Sequence, residues 1–162
     1  MNVVRFSLNG DPVEVGVRAG ETLLQALRER FGLTGTKQGC DLGDCGACTV
    51  LLDGEPVLSC LVLAADAEGH SVVTIEGLSH GEELHPVQKA FLDEGAVQCG
   101  YCTPGMVLTA TALLDANPDP TDVEIRRAIS GNLCRCTGYT KIVCAVRRAA
   151  EASGAQGRDG ES

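Results

Sequence analysis

The first half of the chain has the hydrophobic pattern of β-strands. Apolar and polar residues alternate through two pairs of short runs, and the members of each pair are separated by Asn9-Gly10 or by Asp53-Gly54. Asn-Gly and Asp-Gly between such runs are strong hairpin signals. The pattern predicts two hairpins and one further strand. The five predicted strands are 3–8, 12–17, 49–52, 56–60 and 71–75.

One helical segment lies between the two hairpins. Four apolar residues between positions 23 and 31 recur at helical spacing, and Thr22 is placed to cap the helix at its N-terminus. We therefore expect residues 1–76 to form a small β-sheet packed on one helix.

The pattern becomes helical after residue 84. Pro86 and Pro104 suit the first turns of helices, and Thr121-x-x-Glu124 is a capping box for a helix that should end at Gly131. The four predicted helices are 86–94, 103–116, 121–130 and 140–151. Four short antiparallel helices predict a bundle. We expect residues 77–84 to be a linker, residues 85–152 to be the bundle domain, and residues 153–162 to be a flexible tail.

Composition narrows the possible partners. The chain has 162 residues and a formal net charge of -9, which argues against nucleic acid because that affinity comes largely from Lys and Arg. No apolar run approaches the ~20 residues of a membrane span. Aromatic residues make up only 3% of the chain. Small domains with such light cores often depend on metals or partners for stability.

Eight of the nine cysteines form two sets of four. Disulfides belong to oxidising compartments, an odd count leaves one thiol unpaired, and the N-terminal segment has neither an apolar signal core nor twin arginines. These features predict a cytoplasmic chain that binds metal. The first set is Cys40, Cys45, Cys48 and Cys60, and the second is Cys99, Cys102, Cys134 and Cys136.

The first set has the spacing C-x4-C-x2-C-x11-C, and its first three ligands match the plant-type [2Fe–2S] pattern. Gly39, Gly43 and Gly46 allow the tight turns that such a loop needs, and they let backbone N–H groups approach the sulfurs. The alternative is zinc, whose ligands usually come as two separated C-x2-4-C pairs. An iron–sulfur cluster is therefore favoured here.

The second set, C-x2-C-x31-C-x-C, is less specific. Its spacing alone leaves an iron–sulfur cluster, a zinc site and a redox dithiol open, with the cluster favoured. The region is predicted to be helical, whereas thioredoxin-like dithiols accompany βαβ patterns. The ninth cysteine, Cys144, is expected to be a buried small hydrophobe on the last helix.

Three stretches of this chain resemble one known family: GTKQGCDLGDCGACTVLLDG at 35–54, QCGYCTPGM at 98–106 and GNLCRCTGY at 131–139. They are similar to the small iron–sulfur subunits of molybdenum hydroxylases. That family includes xanthine dehydrogenases, aldehyde oxidoreductases, carbon monoxide dehydrogenases and 4-hydroxybenzoyl-CoA reductases. The resemblance spans about residues 3–150.

The resemblance implies an α+β fold, with an N-terminal plant-ferredoxin-like β-grasp domain followed by a C-terminal four-helix bundle. It implies one [2Fe–2S] cluster in each domain. The first cysteine set would hold the distal cluster, nearer a flavin, and the second set the proximal cluster, nearer a molybdenum cofactor. Gln98 matches a glutamine that contacts the pterin of that cofactor, and Cys136 would lie close to the pterin as well.

The implied function is that of an electron-transfer subunit. Electrons would pass from a molybdopterin site, expected to be the cytosine dinucleotide form, through both clusters to FAD. The reaction would be oxidation, hydroxylation or reductive dehydroxylation of a small organic substrate, often aromatic or N-heterocyclic, and this chain would supply no catalytic residue. The expected partners are a molybdopterin-binding large subunit and an FAD-binding medium subunit, as a dimer of heterotrimers. The alternatives are a stand-alone two-cluster ferredoxin or redox sensor, and a zinc-stabilised interaction module.

Overall fold

A computed structural model describes residues 1–158 of the chain. Five strands form one sheet in the order β2-β1-β5-β3-β4. The central strand β5 pairs in parallel with β1 and antiparallel with β3, and the other pairs are antiparallel hairpins. The strands are β1 (Asn2–Leu8), β2 (Asp11–Val17), β3 (Thr49–Leu52), β4 (Glu55–Leu58) and β5 (Ser71–Val73).

Both predicted hairpins are present and have the predicted turns. Asn9 and Gly10 have φ angles of 53° and 91°, and Asp53 and Gly54 have φ angles of 51° and 85°. Two successive positive φ angles define a type I′ turn, whose twist matches that of the flanking strands. β5 is shorter than predicted, because the chain turns into a 3₁₀ turn at Ile75–Gly77.

The helix between the hairpins begins as the sequence predicts but continues differently. Thr22 caps it through a reciprocal capping box with Gln25. Helix α1 then has only three α-helical residues, Leu23–Gln25, and continues as a π-helical turn over Ala26–Arg30. This wider turn leads into Phe31, whose ring packs edge-to-face on Phe6 with centroids 5.9 Å apart.

Four helices follow the sheet, as predicted. Pro86 and Pro104 lie in the first turns of their helices, and Thr121 forms the predicted capping box with Glu124. The predicted terminator Gly131 lacks the left-handed φ typical of a glycine that ends a helix, because α4 ends at Ala128 and the chain leaves it through a 3₁₀ turn, Ile129–Gly131. The helices are α2 (Pro86–Asp93), α3 (Thr103–Ala116), α4 (Asp122–Ala128) and α5 (Thr140–Arg158).

Helix α5 extends beyond its predicted end at residue 151 and includes residues 153–158, which the sequence placed in a flexible tail. The rest of that predicted tail, residues 159–162, lies outside the described part of the chain. Within residues 1–158, no helix is both long enough and apolar enough to cross a membrane.

The two halves of the chain have separate cores that meet at β3. Phe6, Leu27 and Val50 belong to the core of the sheet half, whereas the core of the helical half contains Phe91 and also Leu51 of β3. Neighbouring residues of one strand point to opposite faces of the sheet. Strand β3 therefore faces α1 on one side and the helical half on the other.

Candidate metal centres

The first cysteine set lies on a tightly folded loop between α1 and β3. Asp41, Gly43 and Gly46 have left-handed φ angles of 56°, 81° and 74°. These turns let the main chain reverse direction within a few residues. A hydrogen bond of 3.3 Å from Lys37 N to Ala47 O closes the loop at its base.

The loop brings its thiols together in pairs. The side chains of Cys40 and Cys45 lie within hydrogen-bonding reach of each other, as do those of Cys48 and Cys60. The two pairs are neighbours, because Cys40 is close enough to Cys60 to raise its pKa. Cys48 and Cys60 form the buried side of the site, and Cys40 and Cys45 form its half-buried side.

Main-chain N–H groups surround the outer thiol of this site. The N–H groups of Leu42, Asp44 and Cys45 each donate to Cys40 Sγ over 3.4 Å. These donors stabilise the thiolate and lower the pKa of Cys40 to about 7. Burial, reinforced by Cys48, raises the pKa of Cys60 to about 11. Metal binding would have to displace the proton from this inner thiol.

A glycine beside the first site is required by contact rather than by its φ angle. A Cβ at Gly39 would lie 2.6 Å from Cys45 Sγ, so any larger residue there would push this sulfur aside. The sequence predicted that glycines allow the tight turns of this loop and the approach of its N–H groups to the sulfurs. The structure supplies two separate reasons, left-handed turns at Gly43 and Gly46 and close approach of sulfur at Gly39.

The second cysteine set is built from two helix starts that are far apart in sequence. Cys102 is the N-terminal cap residue of α3. Cys134 and Cys136 precede α5. The side chain of Cys102 lies within hydrogen-bonding reach of Cys134, and that of Cys99 within reach of Cys136. The packing of the helical half thus brings together all four predicted side chains.

Two hydroxyl groups that no sequence signal singled out support this second site. Tyr139 has a left-handed φ of 69°, and its hydroxyl accepts a 2.9 Å hydrogen bond from Cys134 N. Thr137 Oγ1 lies 3.1 Å from Cys134 Sγ and accepts from Tyr139 N over 3.2 Å. Because a thiolate can only accept, the Thr137 hydroxyl donates to the sulfur once Cys134 is ionised.

The thiols of the second site also differ in pKa. Burial, reinforced by the neighbouring Cys134, raises the pKa of Cys102 to about 12. At Cys134 burial acts in the same direction, but the hydrogen bonds from Thr137 and its neighbours prevail and lower its pKa. The hydrogen bond with Cys99 raises the pKa of Cys136. Each site thus has one thiol whose pKa is lowered by hydrogen bonds and one whose pKa is raised by burial.

The open side of the second site contains the predicted pterin-contact residues. Cys99 and Cys136 are exposed, and Gln98 beside them is exposed as well. The ninth cysteine, Cys144, is half-buried on α5 rather than fully buried as expected.

The paired thiols fit a two-iron cluster better than a single ion. Within residues 1–158, no three His, Cys, Asp or Glu side chains are placed to hold one metal ion. A [2Fe–2S] cluster takes four cysteine thiolates shared between two irons, so it needs two pairs of sulfurs rather than four that converge on one point. The N–H donors at Cys40 and the hydroxyl at Cys134 are also the contacts that adjust the potential of such clusters.

Two family models match almost all of the chain. Residues 6–72 match a 2Fe-2S iron-sulfur cluster binding domain, and residues 74–147 match a [2Fe-2S] binding domain. Among similar sequences, the nicotinate dehydrogenase small FeS subunit of Eubacterium barkeri is 54% identical over 91% of this chain and 94% of that one. The xanthine dehydrogenase iron-sulfur-binding subunit of Escherichia coli O157:H7 is 50% identical over 88% of this chain and 91% of that one.

Solved structures match over nearly the full length of the chain. A chain of quinoline 2-oxidoreductase from Pseudomonas putida 86 superposes with a TM-score of 0.91 and 48% identity, covering 99% of this chain and 98% of that one. The aldehyde oxidoreductase of Desulfovibrio gigas superposes with a TM-score of 0.92 and 42% identity. It covers 96% of this chain, but only 18% of that longer chain is matched.

Proposed function

Because this chain belongs to the family of small iron–sulfur subunits of molybdenum hydroxylases, we propose that its eight paired cysteines hold the two [2Fe–2S] clusters of its electron-transfer function. Cys40, Cys45, Cys48 and Cys60 bind the distal cluster, and the second set binds the proximal one. The observation that supports this best is that each set of four forms two pairs of thiols. These clusters supply one-electron carriers between a molybdenum cofactor and FAD on partner subunits.

The chain's own contribution is to bind, shield and adjust these carriers. At the first site, Cys48 and Cys60 are buried and keep water from the inner side. The main-chain donors at Cys40 and the hydroxyl of Thr137 at Cys134 direct the positive ends of their dipoles at sulfur. Such dipoles favour the more negative, reduced state. The chain itself makes and breaks no bond of the substrate.

We assign different partners to the exposed sides of the two sites. The face with Gln98, Cys99 and Cys136 is proposed to meet a molybdopterin-binding large subunit, with Gln98 and Cys136 in contact with the pterin. The side of the first site, where the exposed side chains of Leu42 and Leu61 lie, is proposed to meet an FAD-binding medium subunit. The assembly would be a cytoplasmic dimer of heterotrimers with the cytosine dinucleotide form of the pterin.

For the substrate, we propose a small organic molecule of the aromatic or N-heterocyclic type. The support is limited to the names of relatives, which act on nicotinate, xanthine and quinoline. The residues that distinguish one such molecule from another are expected to lie on the large subunit.

The proposed ligand assignment can be tested with two cysteine variants of the purified complex. We expect about four irons and four acid-labile sulfides per copy of this chain. Cys102→Ser should remove about two irons and block reoxidation of the molybdenum site. Cys144→Ser is the matched control, because Cys144 is a cysteine outside both sets, and it should keep about four irons.

Two results would contradict the assignment. Fewer than about four irons in the unaltered chain would rule out two clusters. Normal turnover of a Cys102→Ser complex that has lost iron would rule out the route through the second site. Purification of this chain without larger subunits would favour the stand-alone ferredoxin or sensor instead.

A further inference from the structure

A buried polar joint connects the loops of the two cysteine sites, and its central residue is Asn132. This side chain is only 5% exposed. Its Nδ2 donates to Gly46 O over 3.0 Å and to Thr49 Oγ1 over 3.2 Å. Its Oδ1 accepts from Thr109 Oγ1 over 3.0 Å. One amide from the second loop therefore binds the first loop, β3 and α3 at the same time.

The joint lies directly beside ligands of both sites. Next to Asn132, Leu133 N donates a 2.8 Å hydrogen bond to Cys45 O. Cys134 follows Leu133 in the chain, so a single hydrogen bond completes a bonded path from a cysteine of one site to a cysteine of the other. A second contact runs from the hydroxyl of Tyr101, between Cys99 and Cys102, to the carbonyl of Gln38 in the first loop.

The main chain at the joint is closely packed. A Cβ at Gly46 would overlap Gly131 O and would come within 2.8 Å of Asn132 Nδ2. A Cβ at Gly105 on α3 would lie 2.5 Å from Gly46 O. Only glycine at these two positions lets the first loop approach both the second loop and α3 this closely. The main chains of the two loops are therefore in direct contact, and the hydrogen bonds of Asn132 lie at that contact.

We propose that Asn132 is a positioning residue for electron transfer between the two cysteine sites, holding the Cys134 loop on the Cys45 loop so that the Leu133–Cys45 hydrogen bond stays formed. An amide suits this task because it has donors at one end and an acceptor at the other, and both ends are used. In the transfer, one electron leaves the cluster of the second set and one arrives at that of the first. No bond or proton changes place.

Both the rate of such a transfer and the magnetic coupling of the two clusters fall steeply with the distance between them. Electron transfer is also faster through bonded atoms than across a gap. A functional arrangement has to be held within about 0.5 Å by its supporting residues. Loosening the joint should therefore weaken the coupling while leaving each set of four cysteines intact.

The proposal rests on the proposed function, because it requires a cluster at each cysteine set. The first test is Asn132→Asp in the purified complex, which keeps the shape of the side chain but replaces its donors with an acceptor facing Gly46 O. Asn9→Asp is the control, since Asn9 donates to Thr74 Oγ1 over 3.0 Å at a hairpin away from both cysteine loops. We expect loss of the splitting between the paramagnetic resonance signals of the two reduced clusters, and slower transfer between them, in Asn132→Asp alone.

The second test removes one partner of the joint at a distance from any cysteine. Thr109→Val deletes the hydroxyl that donates to Asn132, and Thr109→Ser restores it. Thr111→Val is a closely matched control on the same helix: Thr111 is 5% exposed against 6% for Thr109, but its hydroxyl donates within its own helix to Val107 O over 2.8 Å. We expect a reduced splitting in Thr109→Val, a normal one in Thr109→Ser, and no change in Thr111→Val.

The outcomes separate this proposal from the proposed function. About four irons per chain with unchanged splitting and transfer rate in both Asn132→Asp and Thr109→Val would refute the positioning role alone. Fewer than about four irons in the unaltered chain would refute the proposed function. If the Asn132→Asp complex loses iron, the signal splitting and the transfer rate of the Thr109→Val complex test the positioning role instead. Loss of iron in Thr109→Val as well would show that the joint assembles a cluster rather than positions it.

Discussion

The two cysteine sites bring four thiols together by different constructions. The first site takes three of its four cysteines from a single loop of nine residues, and the groups that donate to Cys40 are main-chain N–H groups. The second site joins two cysteine pairs separated by 31 residues, each near the start of a helix, and the side-chain hydroxyl of Thr137 lies against its Cys134 sulfur. The environment of the first site is thus set by its backbone path, and that of the second partly by replaceable side chains.

This difference predicts where each site is vulnerable. Glycine substitutions should damage the first site, because they alter the path of its main chain. Substitutions of hydroxyl residues should adjust the second site without dismantling it. The joint at Asn132 belongs to both sites, so a change there should affect the pair rather than one member.

The largest expected effect is at Gly46, where the two loops touch. Gly46→Ala should lower the free energy of unfolding by about 1–2 kcal/mol for the left-handed φ of 74° and by about 1–3 kcal/mol more for the overlap with Gly131 and Asn132. Gly54→Ala is the control, because its φ is 85° and nothing lies within 4 Å of a Cβ there. The urea unfolding midpoints of the two variants measure both losses of stability. Equal decreases in the two midpoints would show that the contact between the loops contributes nothing to stability.

The next effect should be confined to one site. Gly39→Ala places a Cβ 2.6 Å from Cys45 Sγ, and we expect the complex to lose about two of about four irons per chain. Gly131→Ala, in the second loop, has open space around its Cβ and no positive φ, so it should keep all of them. Iron analysis together with the absorption spectrum gives the result. A full iron count in Gly39→Ala would contradict the view that the backbone path determines the first site.

The smallest effect should be an adjustment at the second site. Thr137→Val removes the hydroxyl that donates to Cys134 Sγ, and losing one hydrogen bond of this kind should lower the midpoint potential of that cluster by about 20–60 mV. Thr137→Ser keeps the hydroxyl and should keep the potential. Redox titration followed by paramagnetic resonance distinguishes the two clusters. A shift at the first site, or an equal shift in both variants, would show that the hydroxyl does not act on Cys134.

Much of the fold could be predicted because its signals are local. The turn at Asn9-Gly10, the capping box between Thr121 and Glu124, and the proline in the first turn of α3 all act over at most a few residues. The structure departs from the prediction where a local signal competed with packing. Gly131 suited a helix terminator, but in the structure its carbonyl lies against Gly46 and the helix ends in a 3₁₀ turn instead.

Spacing and turn chemistry lie within short segments, so the amino-acid sequence alone predicted the eight candidate ligands, most of the strands and helices around them, and the family. Only the folded chain shows which thiol faces which, which hydroxyl lies against Cys134, and that Asn132 joins the two loops. Most of these are contacts between distant parts of the chain. The amide of Asn132 and the carbonyl of Gly46 are 86 positions apart in the chain, and they meet where α3 packs beside β3.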